Sequence, residues 1–206
     1  RRSRMPLLIA ALVAVLLPLA LAYPLSPPVM AGSFLGLWAI VTAGQEIWRR
    51  IRAKSGVLSG LRGVPRGVWG MSLAHLGLGV WALGICFVSA YSIEKDARLA
   101  PGSSVELGGY SFQLDGVTAR QGPNYKSDYG TVSIEHSGRI ISQLHPEKRL
   151  YDSTGSLQTE SAVDFNLMRD LYVAMGEPMD NGDWTLRLYL KPMMRMVWLG
   201  GVLMFL

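Results

Sequence analysis

The chain has one cysteine, Cys86, and it lies inside an apolar run. No disulfide can therefore form within the chain, and any domain outside a membrane must be held by packing alone. Cys86 reads as a small apolar residue and not as an exchange thiol. Histidine is nearly as scarce. His75, His136 and His145 are the three present, and no two of them share metal-ligand spacing. There is no phosphate-cradling glycine loop, dinucleotide fingerprint, HExxH pair, CxxC pair or nucleophile elbow, so no common nucleotide, zinc-peptidase or serine-hydrolase signature is present. Charge is sparse too. Only 17% of residues are Asp, Glu, Lys or Arg against 50% hydrophobic, which is too apolar for a disordered chain.

What is present is a set of long apolar blocks. Leu7–Tyr23 holds 17 uncharged residues, Val29–Trp48 holds 20 residues with one acid at Glu46, and Trp69–Ala90 holds 22 with no charge. Each is long enough to cross a hydrocarbon core of roughly 30 Å. We expect transmembrane helices at about 6–24, 29–48 and 69–91, with a basic cytoplasmic loop at 49–68. The start of a further span is expected at 193–206. A signal peptide is disfavoured for the first block, because a second span follows within a few residues. The pattern is that of a piece of a larger membrane protein.

Charge asymmetry orients these spans, since short loops rich in Lys and Arg stay in the cytoplasm. Nine of the 20 basic residues lie at Arg1, Arg2, Arg4 and between Arg49 and Arg66. The third span then emerges outward and delivers residues 91–192 to the outer face. Tyr91–Lys191 carries ten basic against 14 acidic residues, a net of −4. The overall +5 thus belongs to the inner loops, and no nucleic acid is expected as a partner; membrane lipid is.

The exported segment alternates as β-strands do in "YSFQLDGVTARQ", "GTVSIEHSG", "RIISQL" and "DWTLRLYL". "HSGR", His136–Arg139, fits a tight hairpin turn. "SIEKDARLAPGS" and the "KP" at Lys191–Pro192 read as joints to the spans. "ESAVDFNLMRDLYVAMGE" fits a long bent strand or a short helix, and we read it as strand. The fold class expected is a polytopic α-helical membrane protein with an extracytoplasmic, mainly antiparallel β domain, a small barrel or sandwich.

His75 stands out, because an ionisable side chain within a span is costly and marks a functional hypothesis. At helical spacing Ser72, Gly79, Ala82 and Cys86 share its stripe, so a close or flat partner can approach. Three uses remain open: packing and hydrogen bonding to a neighbouring helix, ligation of a porphyrin iron, or a proton relay. Met71's carbonyl or Ser72 lies near enough to bond the second ring nitrogen. At the end of the second span, "QEIW", Gln45–Trp48, admits a quinol site. The plainer reading is an interfacial helix end in which Glu46 pairs with Arg49 or Arg50.

"GMSLAHLG", "GPNY", "HPEKRLY", "TESAVD", "DLYVAMGE" and "WTLRLYLKP", in this order, resemble the C-terminal third of the CcmF-type haem lyase family of cytochrome c biogenesis. The resemblance covers the third span, the exported domain and the start of the last span. It implies a multi-pass haem lyase of the bacterial inner membrane, with residues 91–192 in the periplasm, that attaches haem through thioether bonds to apocytochrome c at CxxCH. Partners implied are a haem chaperone and the thiol-reducing maturation proteins that bind apocytochrome. By the match to "GMSLAHLG", His75 resembles an axial ligand of an intramembrane b-type haem that supplies electrons. The second ligand and a tryptophan-rich haem-handling motif would lie outside this sequence. The resemblance assigns no chemistry to Glu147, Lys148, Arg149 or Tyr151, and none to His136 or His145. A membrane-anchored assembly scaffold with a partner-docking domain and no haem is the alternative.

Overall fold

The computed structural model describes residues 8, 9, 11–13, 16, 26–53, 56–179 and 181–206. The span expected at 6–24 lies largely outside them. The chain divides into a helical unit, which runs to Tyr91 and resumes at Met193, and a β unit, Ser92–Pro192.

In the helical unit, α1 is Pro27–Arg52, α2 is Val57–Arg62, α3 is Arg66–Tyr91 and α4 is Met194–Phe205. α1 opens with Pro27 behind an extended Ser26, where a missing N–H costs nothing. It closes on Arg49, Arg50 and Arg52, cations that suit a helix C-terminus. α1 and α3 are long and apolar enough to cross a membrane; α4 is apolar and shorter. Both long helices run past the apolar blocks, and α2 occupies part of the segment between them. The segment expected as the basic cytoplasmic loop, 49–68, carries helix at both of its ends and over Val57–Arg62.

α3 packs through small residues on two faces. Toward α1, a Cβ on Gly79 would stand 2.6 Å from the Gly36 carbonyl oxygen, and one on Gly32 would stand 2.5 Å from Cys86 Sγ. Toward α4, a Cβ on Gly77 would meet the Gly200 oxygen at 2.7 Å, and one on Gly84 would meet Val197 N at 2.8 Å. Backbones this close admit no side chain, and such approaches drive helix association where lipid removes the hydrophobic drive.

The β unit holds ten antiparallel strands: β1 Ile93–Leu99, β2 Ser104–Leu107, β3 Tyr110–Gln121, β4 Tyr125–His136, β5 Arg139–Leu144, β6 Glu147–Tyr151, β7 Leu157–Glu160, β8 Ala162–Phe165, β9 Arg169–Pro178 and β10 Trp184–Pro192. They form two sheets. One is ordered β1-β10-β9-β8, the other β2-β3-β4-β6-β7 with β5 also on β4. The period-2 pattern places Phe112 and Leu114, Val132 and Ile134, Leu171 and Val173, and Leu186 and Leu188 inside, each fully or almost fully buried. Burying each such side chain stabilises by about 1.5–3 kcal/mol, which lets the domain dispense with disulfides.

Three expectations are corrected. "SIEKDARL" is no joint: it forms β1, a charged edge strand whose Asp96 pairs with Arg187 of β10. The Lys191–Pro192 joint is the end of β10 itself. "ESAVDFNLMRDLYVAMGE" is not one bent strand but a hairpin, β8 and β9, paired from Ala162↔Val173 to Phe165↔Asp170. Asn166 turns it, its Oδ1 accepting the N–H groups of Met168 at 2.8 Å and Arg169 at 2.9 Å.

Candidate functional site

His75 lies in the first half of α3, nine residues past Arg66, roughly 13 Å along the helix. Its Nδ1 is 2.7 Å from the Met71 carbonyl oxygen. A carbonyl can only accept, so Nδ1 is the donor, and in the neutral ring Nε2 then holds the lone pair. The ring is exposed and borders an open hollow of about 250 Å³ lined by Ala74, His75, Leu78 and Met204. Met71, Leu78, Trp81 and Ile85 continue this exposed apolar face along α3.

The small-residue stripe does not serve His75 in the way its spacing implies. Ser72, Gly79 and Cys86 are buried, with Gly79 and Cys86 turned toward α1. His75 stands at the rim of that contact with its ring exposed. The stripe is used for helix packing, and what approaches the imidazole must come from the open side. Cys86 is about 16 Å further along the helix, so thiol and imidazole do not form one site. Among the described residues no group of three or more His, Cys, Asp or Glu side chains gathers as a metal cluster would.

At the end of α1, Glu46 bonds both Arg49 and Arg50 at 2.7 Å. Its carboxylate is engaged by the helix's own cations, as the plain reading of "QEIW" expects.

In the β unit the two histidines have local partners. His136 Nδ1 is 2.9 Å from the Gly109 oxygen, and its ring stacks on Tyr110 at 4.6 Å between centroids. His145 stacks on Tyr129 at 5.0 Å, and Arg120 lies over the Tyr129 ring at 3.2 Å. They occupy different parts of the sheet and do not converge.

"HPEKRLY" proves structural in a way composition did not reveal. On β6 the alternation sends Glu147, Arg149 and Tyr151 to one face and Lys148 to the other. Arg149 bonds Glu147 at 2.8 Å and lies over Tyr125 at 4.6 Å. The guanidinium beside Glu147 holds that carboxyl below its ordinary value of 4.5. Lys148 turns inward, only 6% exposed, and its Nζ donates to the Gly176 oxygen of β9 at 2.9 Å and to Glu177. It ties one sheet to the other. A second buried cation, Arg169, pairs with Asp164 and reaches the Tyr110 hydroxyl at 3.3 Å. Strand alternation was the one signal that could have placed Lys148 inside.

Residues 90–192 match the family described as the CcmF C-terminal beta-sandwich. The chain belongs to the CcmF family. It is 47% identical over 176 residues to the cytochrome c-type biogenesis protein CcmF of Pseudomonas aeruginosa, covering 85% of this chain and 27% of that protein. To the protein of the same name from Escherichia coli it is 38% identical over 211 residues, 100% of this chain and 31% of the relative. A solved structure titled "Cytochrome c Heme Lyase CcmF" aligns with a TM-score of 0.79 at 21% identity, over 97% of this chain and 32% of that one. The chain thus spans less than a third of the length of these CcmF relatives, in their C-terminal region. The sandwich reading of the β unit stands, and the recognition carried by the short motifs is correct.

Proposed function

We propose that the chain is the C-terminal part of a membrane haem lyase that attaches haem covalently to apocytochrome c. α1, α3 and α4 lie in the bacterial inner membrane, the Arg49–Arg66 segment in the cytoplasm and Ser92–Pro192 in the periplasm. This orientation rests on the basic residues flanking α1 and α3 against the acidic surplus of the β unit. Substrates and partners follow from the family: haem delivered by a haem chaperone, and an apocytochrome CxxCH whose thiols are kept reduced. Each thiol S–H adds across one vinyl double bond, forming a C–S bond with no net oxidation.

His75 is proposed as one axial ligand of an intramembrane b-type haem. The observation that carries this is the 2.7 Å contact of Nδ1 with the Met71 carbonyl oxygen. Nδ1 is engaged by that carbonyl, so Nε2 is the ring nitrogen left for a ligand on an exposed apolar face beside a hollow lined by Ala74, Leu78 and Met204. Those residues fit an apolar macrocycle, and a neutral imidazole nitrogen suits its iron. A b-type haem held there would supply one-electron transfer, reducing the iron of the haem to be attached. The chain's own part is to orient the ring, exclude water with Leu78 and Met204, and anchor α3 through α1 and α4.

His75→Ala in the intact protein should lower the bound b-type haem absorbance. His75→Gly should recover the spectrum when imidazole is added. A wild-type haem content in purified His75→Ala would overturn the assignment and leave the scaffold reading, with a partner-docking domain and no haem on this helix.

A further inference from the structure

The two ends of the β unit differ in chemistry. At one end the chain enters β1 at Ile93, directly after α3, and leaves β10 at Pro192, directly before α4. Ile93 pairs with Leu190 and Pro192 with Arg169, so β1, β10 and the β8–β9 turn share this end. The β2–β3 turn joins them, since a Cβ on Gly108 would lie 2.7 Å from Leu190 Cδ1. The β4–β5 turn follows through the His136–Gly109 bond. This end exposes Ile93 44%, Ile140 70%, Ile141 44%, Phe165 63%, Leu167 81% and Met168 65%. Among the described residues, the other large exposed apolar side chains of the unit are the cross-strand pair Leu150 and Leu157. The opposite end is made of polar turns, "APGS", "GPN" and "DSTGS".

Six large exposed apolar side chains collected at the start of β1 and beside two turns exceed the scattered exposure of an ordinary surface. They share the end of the β unit at which the chain continues into α3 and α4. Lys191 reaches over Tyr172 at 5.1 Å and over Tyr189 at 5.2 Å beside the exit, an amphipathic pairing of the kind that settles at headgroup level. We propose that this collar is a membrane-interface anchor. Phe165, Leu167 and Met168 of the β8–β9 turn and Ile140–Ile141 of the β4–β5 turn insert into the headgroup–acyl boundary of the phospholipid leaflet and fix the domain's tilt. The occupant is lipid, because continuity with the spans brings these turns to the bilayer surface. The inference rests on the proposed membrane crossing of α3 and α4.

The test uses the intact protein in phospholipid vesicles, with Cys86→Ala and a single cysteine carrying an environment-sensitive fluorophore at Leu167→Cys, Thr154→Cys or Ile85→Cys. Lipids bearing a nitroxide near the headgroup should quench the label at 167 several-fold more than at 154, and aqueous iodide should show the reverse order. The label at 85 should be quenched by lipid nitroxide deeper in the chains. Quenching at 85 with none at 167 overturns the collar while leaving the spans intact. No lipid quenching at 85 overturns the crossing and the collar with it. Shielding of 167 from both quenchers means that protein covers the turn, and the lipid assignment fails.

Discussion

Lys148→Met separates two things that Lys148 does. The substitution keeps an unbranched stem in the seam between β6 and β9 and removes the ammonium. The Gly176 carbonyl, now 2.9 Å from Nζ in a part-buried contact with a lysine only 6% exposed, then loses its donor. An orphaned buried acceptor costs about 1–3 kcal/mol. The ion pair with Glu177 adds little, because that carboxylate is 73% exposed and exposed pairs are worth about 0–1 kcal/mol. Amide hydrogen exchange in the detergent-solubilised protein, followed by mass spectrometry on peptides spanning β6 and β9, reads the seam directly. Lys148→Met should speed exchange there by roughly 5- to 150-fold, and Glu177→Gln by far less. Unchanged exchange in Lys148→Met, or an equal effect of Glu177→Gln, would refute the carbonyl bridge as the seam's main polar tie.

Two further outcomes follow from other parts of the chain. Gly77→Leu should separate α3 from α4, because its Cβ would already stand 2.7 Å from the Gly200 oxygen. A disulfide cross-link between cysteines placed at Ala74 and Met204 should then lose yield, whereas Gly70→Leu, with nothing within 4 Å, should leave it. Acid should weaken the β unit: Arg187 beside Asp96, Asn181 and Arg98 beside Asp183, and Arg149 beside Glu147 each hold a carboxyl below its ordinary value. Depressed folded values stabilise above the unfolded ones, 3.8 and 4.5, and the benefit is lost as pH falls through the lower folded values. Urea midpoints of the protein in detergent should therefore hold from pH 7 to 5 and fall below pH 4; a midpoint independent of pH would contradict these pairs.

Much of this architecture is legible in the residues. β3 coincides with "YSFQLDGVTARQ", and the "HSGR" turn appears with Ser137 at φ 51° and Gly138 at φ 75°, the positive values a two-residue hairpin requires. β1 was hidden because an edge strand can carry charge on both faces, and "IEKDARL" blunts its edge as solvated loops do. The β8–β9 turn was hidden because its apolar residues, Phe165, Leu167 and Met168, read as strand interior; Asn166 alone signalled it. At His75 the spacing correctly grouped the small residues but not their use. Helical periodicity states which residues share a face, and only packing decides which face a neighbour takes.

That decision bears on the histidine's partner. With α1 on one side of α3 and α4 on another, His75 is left on the third, bonded to Met71 among the described residues. If α3 crosses a bilayer as proposed, hydrocarbon offers Nε2 no donor, and an unpartnered polar atom there is costly. Some element laid against this face must supply either iron or a hydrogen-bond donor. The two are separable by substitution. A glutamine at this position keeps a carbonyl oxygen able to accept a hydrogen bond but lacks the imidazole nitrogen that low-spin haem iron prefers. His75→Gln should therefore lose haem as His75→Ala does if the partner is iron. It should retain the wild-type spectrum and helix packing if the partner is a polar side chain. Imidazole rescue of His75→Gly but not of His75→Gln, whose side chain fills the space, would assign the ligand role to the ring nitrogen itself.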